Sequence, residues 1–346
     1  MIVGVSLDPC LMAQNVPGSC FPRGVVDTSE MAAYVAREDG TIARLSLQDG
    51  KPGWISSRAS LPLIVISGRL LAADYPKAKE GQFSVAIIAT RDGSLLARSE
   101  SVSLDLPAFS PAETPPVLEA IPMHESVRMQ WVTTARNRGG ASPPIQQAAR
   151  APRRTRHSVI VDPLTARLTE QSAEQLSSPD AASTPSRESV PYVRGDKWSS
   201  GPWHAGETTA DLIRMSSGGN RTLSLQIRGT SDQQADKTVP LGLNDNPSAP
   251  RVTQDGAYVL LSDNDGTAQT YRIFSSTSGA EIGRATLPPG AHEICIHGSQ
   301  LYFLAAGFSG NRSDIVIRAL DIAANRVLWE YSLGERRTGT PPPLPQ

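Results

Sequence analysis

The chain has 346 residues and a formal net charge of −1, from 33 basic and 34 acidic side chains, and its 28 glycines and 28 prolines interrupt it about once every six positions. Breakers at that density exclude a long coiled coil, no apolar stretch approaches the about 18 residues of a membrane-spanning helix, and the balanced charge supplies no global field for nucleic acid or an anionic membrane. At about 150 residues per domain the length suggests two domains, unless a β repeat runs through it as one unit.

Residues 1–21 are read as an N-terminal strand, Met1 to Asp8, followed by a loop. They lack the basic and apolar regions of a secretory signal, so the expectation is a cytoplasmic protein, a processed form, or a segment of a longer chain. Cys10, Cys20 and Cys295 form no Cys-x-x-Cys and no metal-ligand spacing. They are expected to be free thiols, with a Cys10–Cys20 disulfide as the alternative in an oxidising compartment.

From residue 22 onward the pattern is apolar run, Gly- or Asp-containing turn, apolar run, second turn. Ala32 to Ala36, the turn Asp39-Gly40-Thr41, Ile42 to Leu47 and Asp49-Gly50 come first. Leu63 to Ala72 then reads as a hairpin about Gly68, and Phe83 to Gly93 as a strand and turn. Leu106 to Pro122 and Gln171 to Pro191 are low in complexity, and insertions are expected near 106–157 and 171–205. The first pattern returns over Pro250 to Gly279, with a strand Ala257 to Leu261 and the turn Asp265-Gly266-Thr267. The second returns over Ile294 to Trp329, with Gly298 in place of Gly68. Second-turn markers fall at Gly50, Gly93, Ala166, near Asp232, Gly279 and Asn325, in steps of 43, 73, 66, 47 and 46 residues. A unit of about 45 residues is the period of a four-stranded propeller blade, whose sheet buries both faces only against its neighbours. Residues 338–346 (TGTPPPLPQ) read as a Pro-rich tail or the start of a further blade.

At the second turns the residues resemble the pyrroloquinoline-quinone-type (PQQ-like) propeller repeat, Ala-x-Asp-x-x-Thr-Gly-x-x-x-Trp. Ala319 to Trp329 keeps Ala, Asp321 and Trp329 and replaces Thr-Gly with Ala-Asn. Asp162 and Thr165 match in another unit, Gly50 with Trp54 in another, and Gly279 in a fourth. The resemblance covers most of residues 22–333 and implies structural roles: Asp and Thr pin the turn, Gly supplies a positive φ, and Trp docks between blades. Members that hold the quinone use vicinal cysteines, a stacking Trp and a calcium bound by Glu, Asn and Asp. Without a Cys-Cys pair or such a set, this chain is expected to carry no cofactor. The resemblance implies instead the non-cofactor branch, which includes an outer-membrane assembly lipoprotein and envelope or sensor propellers; no lipobox marks this chain as that lipoprotein.

Four segments have the composition of a site. Asp263-Asn264-Asp265-Gly266-Thr267 has the opening of a calcium loop, but Arg272 stands where an EF-hand needs Glu, and a hairpin turn accounts for it. Asp263 and Asp265 are thus weak metal candidates. In His292 to His297, Glu293, Cys295 and His297 share one strand face, which a blade strand explains as well as a metal site. Arg136 to His157 is rich in arginine, including Arg153, Arg154 and Arg156, and could meet phosphate or sulfate groups, or be a solvated insertion. Trp198, Trp203 and His204 lie on a Gly/Pro-rich stretch read as a loop, suited to glycan or peptide contact or to packing over a propeller rim. No nucleophile elbow, P-loop, dinucleotide motif or HExxH helix is present.

The reading is therefore an all-β propeller of four-stranded antiparallel blades spanning 22–337, seven blades within a range of six to eight, and incomplete at one end if the last blade lies elsewhere. Its expected function is a non-catalytic, monomeric scaffold for a protein partner, with glycan as a second ligand class and neither nucleic-acid binding nor membrane insertion. The alternatives are a quinoprotein-like dehydrogenase or propeller hydrolase, and a carbohydrate-binding or sensor propeller. The family resemblance implies the cell envelope or periplasm.

Overall fold

A computed structural model describes residues 21–74, 81–104, 117–135, 153–176, 197–205, 208–217, 220–229, 236–241, 250–252, 256–264, 269–288, 290–309 and 312–335. Among them the fold is all-β. Twenty-five strands form six antiparallel sheets, each built on a four-strand meander in which strands consecutive in sequence are neighbours in space. Among the described residues no helix is long and apolar enough to cross a membrane.

The strands divide into two compact units. One comprises Arg23–Ser46 and Pro52–Ser186. Its first sheet is β1 (Gly24–Asp27), β2 (Ala32–Ala36), β3 (Ile42–Ser46) and β4 (Pro52–Ser56). Its second is β5 (Leu61–Ile66), β6 (Arg69–Asp74), β7 (Gln82–Ala89) and β8 (Leu95–Arg98), with β9 (Val102–Ser103) also pairing with β7. Its third is β10 (Glu119–Pro122), β11 (Val127–Ala135), β12 (Arg153–Val161) and β13 (Leu168–Leu176).

The other unit comprises Met1–Pro22, Leu47–Lys51 and Arg187–Gln346. It holds a fourth sheet of β14 (Lys197–Ala205), β15 (Thr208–Ser217), β16 (Asn220–Gly229) and β17 (Lys237–Leu241). The fifth is β18 (Arg251–Val252), β19 (Tyr258–Asn264), β20 (Gln269–Ser275) and β21 (Glu281–Leu287). The sixth is β22 (His292–His297), β23 (Gln300–Ser309), β24 (Arg312–Asp321) and β25 (Arg326–Glu335).

Strand alternation explains where the cores lie, since side chains on a strand point to opposite faces in turn. In β20, Tyr271 and Ile273 join a cluster with Ile294, Leu301 and Phe303 of the sixth sheet, while Phe274 packs the opposite way with Leu225, Ile227 and Val259. The fifth sheet thus buries both faces. In the other unit Val25, Tyr34 and Ile42 pack on Leu70, Ala72, Ala86 and Ile88. Such cores form between sheets, so each sheet depends on its neighbour for most of its burial.

Three expectations change. The stretch near 106–157 contributes β10, β11 and the first half of β12 to a sheet, because Arg154, Arg156 and Ser158 alternate with buried His157, Val159 and Val161. Trp198 to His204 lies in a strand, β14; the chain absorbs Gly201-Pro202 as a break in register between Ser200 and Trp203, where a proline without an N–H removes no ladder bond. Cys295 is disulfide-bonded rather than a free thiol.

Candidate functional site

Two constructions stand out: a repeated docking row and an exposed arginine face.

The docking row begins with register. In the first sheet Val25, Tyr34, Arg44 and Trp54 are Cα partners across all four strands. In the sixth sheet Cys295, Tyr302, Ala319 and Trp329 form the same row. The Tyr and Trp rings of each row are 5.8 Å apart, Tyr34 with Trp54 and Tyr302 with Trp329. Each indole then reaches a second turn. Trp54 Nε1 donates to the Thr90 carbonyl at 2.9 Å, and a β-carbon on Gly93 would fall 2.7 Å from its ring. Trp329 Nε1 donates to the Leu47 carbonyl at 2.9 Å, and a β-carbon on Gly50 would again fall 2.7 Å from the ring. Gly93 and Gly50 have φ of 73° and 68°, the left-handed region that costs a residue with a β-carbon about 1–2 kcal/mol. Glycine is required twice over, by backbone and by clearance.

Two other outer strands meet second turns with different residues. Val239 and Lys237 of β17 lie against Gly279, φ 72°, and Gly283 of β21 abuts the Ile322-Ala323 backbone. Arg69 Nη1 donates to the Pro163 carbonyl at 3.4 Å. The turns are held from within by acidic side chains. Asp162 accepts from Leu164 N and Thr165 Oγ1, each at 2.7 Å, and Asp321 accepts from Ala324 N at 3.0 Å. The Leu164 amide and then the Thr165 hydroxyl hold the Asp162 carboxyl below its ordinary pKa.

Around Trp54 the row carries a polar bridge. Glu30 accepts from Tyr34 Oη at 3.3 Å, Arg44 Nη2 at 3.4 Å and Thr90 Oγ1 at 3.2 Å. Burial, and then the Glu30 carboxylate, push the Tyr34 phenol up to about 12. The phenol therefore stays protonated and donates, which suits a structural tie rather than a proton-transfer group.

The arginine face belongs to the third sheet. Val127, Met129, Trp131, Thr133, His157, Val159 and Val161 point inward and are buried. There His157 stacks on Trp131 at 5.4 Å and its Nε2 lies 2.8 Å from Thr133 Oγ1, while Trp131 Nε1 donates to the Leu104 carbonyl at 3.1 Å. The opposite face presents Arg128, Arg154 and Arg156, all exposed, and Arg156 stands across from Val132 on one side and Glu174 on the other. Among the described residues none of these three arginines forms an ion pair, whereas Arg37, Arg44, Arg98, Arg272 and Arg318 each do. Unpaired guanidinium groups on a flat strand surface are suited to carboxylate, phosphate or sulfate groups on a partner.

The remaining predicted residues are placed as follows. Arg153 is the first residue of β12, and Trp198, Trp203 and His204 lie in β14 with Cα partners Arg214, Ala210 and Thr209. Asp263 pairs with Thr270, and Asp265 lies outside the described residues. No group of three or more potential metal ligands occurs among the described residues. The Glu30 bridge and Arg128 were missed by sequence reading. Arg128 follows the same alternation as Arg154 and Arg156, with buried Val127 and Met129 on either side, and could have been found that way.

No protein-family model matches the chain, and no curated protein matches it. Among solved structures it is similar to the β-propeller domain of the Trilobed protease from Pyrococcus furiosus, at 10% identity and a TM-score of 0.28, over 64% of this chain and 57% of that one. BamB from Moraxella catarrhalis aligns at 14% identity and a TM-score of 0.25, over 82% of this chain and 68% of that one. The AtxE2 isopeptidase aligns at 9% identity and a TM-score of 0.43, over 90% of this chain and 51% of that one, so the chain spans about half its length.

Proposed function

We propose that the six sheets are blades of one PQQ-like propeller, and that the protein is a non-catalytic scaffold holding a protein partner on its exposed strand surfaces. Support for the ring comes from the docking row. Trp54 of the first sheet seats on the second turn of the next sheet, and Trp329 of the sixth seats in the same way on the Leu47–Gly50 turn. That repeated seating supports a count of six, the lower end of the expected range.

The observation that carries the binding reading is the unpaired arginine face of Arg128, Arg154 and Arg156. Loops and faces on a rigid repeat scaffold bind through local chemistry, and this chemistry selects an acidic protein surface. The test is site-specific photocrosslinking in cells from position 172, which lies beside the arginines on the same face, with position 159 as a buried control. A discrete protein adduct that disappears in Arg154→Glu/Arg156→Glu supports the reading; an adduct indifferent to charge reversal, or none, overturns it.

The reading also carries no resident cofactor. Native mass spectrometry with metal analysis is expected to give the bare monomer mass. A bound quinone or stoichiometric calcium would favour the quinoprotein alternative.

A further inference from the structure

Resting on the reading of the third sheet as a binding face, we infer that its occupant is a single extended acidic segment lying along β12, with carboxylates at positions i, i+2 and i+6.

The spacing comes from the register of the arginines. Arg154 and Arg156 are two residues apart on β12, so their side chains leave the same face about 7 Å apart. Arg128 joins that face from β11, where it is the Cα partner of Ile160, six residues beyond Arg154 and four beyond Arg156. All the offsets are even. At about 3.4 Å per residue the three positions span about 20 Å along the strands, while β11 and β12 are only about 5 Å apart. No acidic residue occurs in β11 or β12, and the residues between the arginines on this face are Gln130, Val132 and Ser158.

The flanking strands set how wide a partner can be. On the same face β10 carries Glu119, Cα partner of Gln130, and β13 carries Glu174, Cα partner of Arg156. Gln130 Nε2 donates to the Glu119 carboxylate. β10 and β13 lie three strand spacings apart, about 14 Å, so the positive track has a carboxylate on either side. A broad acidic surface would bring its charges against Glu119 and Glu174 as well as the arginines, and like charges facing each other cost affinity. An α-helix, about 10–12 Å across, would cover most of that width, and its one-sided residues recur every three or four positions. An extended chain matches on both counts. It is one strand wide, and its period of two sends carboxylates at even offsets to one side, where each meets a guanidinium in a charge-assisted hydrogen bond.

The experiment is fluorescence anisotropy of two labelled peptides with the full chain. Both peptides have one composition, three glutamates among serines and threonines. In the first the glutamates stand at i, i+2 and i+6; in the second they stand at i, i+3 and i+6, so that the middle carboxylate turns away. The first is expected to bind about tenfold more tightly, a difference of about 1.4 kcal/mol. Arg156→Ala should abolish that preference, because only the i+2 carboxylate meets this residue, whereas Arg128→Ala should weaken both peptides and preserve their ratio. Equal affinity of the two peptides, no affinity for either, or a ratio that survives Arg156→Ala would each overturn the extended-segment assignment. In those cases a charge-dependent adduct from position 172 leaves the acidic-partner reading standing, and its absence takes that reading down as well. Tighter binding of a sulfated oligosaccharide through the same arginines would assign the track to glycan and overturn the assignment too.

Discussion

A β-carbon at Gly93 would meet the Trp54 indole at 2.7 Å on a backbone with φ of 73°. Gly93→Ala is therefore expected to cost more than the about 1–2 kcal/mol of the left-handed backbone alone, read from urea unfolding, with Trp54→Ala in the same chain relieving the excess. Titration offers a second test at this scale. Burial works against the Glu281 charge, but Arg272, at 2.7 and 3.2 Å, and Arg284 outweigh it and hold the pKa low. A carboxylate lowered in the folded state contributes stability that is full above its unfolded value of about 4.3 and is lost as pH falls through the folded one. Glu281→Gln should flatten that acid limb of the melting-temperature profile. Tyr34 has the opposite sign. Its phenol, raised to about 12, leaves stability full below the unfolded value of about 10 and lost as pH rises beyond it, so Tyr34→Phe should shallow the alkaline limb. Asp-Gly and Ser-Gly turns were legible in sequence because φ > 0 restricts residue type; the Glu30 bridge was not, since Thr90 lies 60 positions away.

Among elements, the third sheet separates face from composition. Composition reads Arg136–His157 as a solvated insertion because it is rich in arginine, yet the period-two alternation of His157, Val159 and Val161 is what a one-sided strand needs. Composition also hides β14, where Gly201 and Pro202 give a turn signal and the chain makes a register break instead. By contrast, Ala32–Ala36 was readable to the residue, being apolar throughout and bounded by turn residues. The two faces of the third sheet should answer differently to truncation. Trp131→Ala, which removes the stack on His157 and the bond to Leu104, is expected to cost about 3–5 kcal/mol. Arg154→Ala and Arg156→Ala should stay within about 0.5 kcal/mol of the parent. Urea midpoints at constant m-value decide between them.

For the molecule as a whole, the meander order makes nearly every strand pair local in sequence, while Trp329 and Leu47 are separated by 282 positions. Sheets of neighbouring strands close short loops and assemble early; a bond across most of the chain requires nearly the full loop-closure entropy before it is formed. The indole of Trp329 should thus be seated after the rate-limiting step. Trp329→Ala is expected to leave the refolding arm of a chevron plot unmoved and to raise the unfolding rate about tenfold per about 1.4 kcal/mol lost. What that one side chain then governs is the lifetime of the native state, and not the speed with which the chain reaches it.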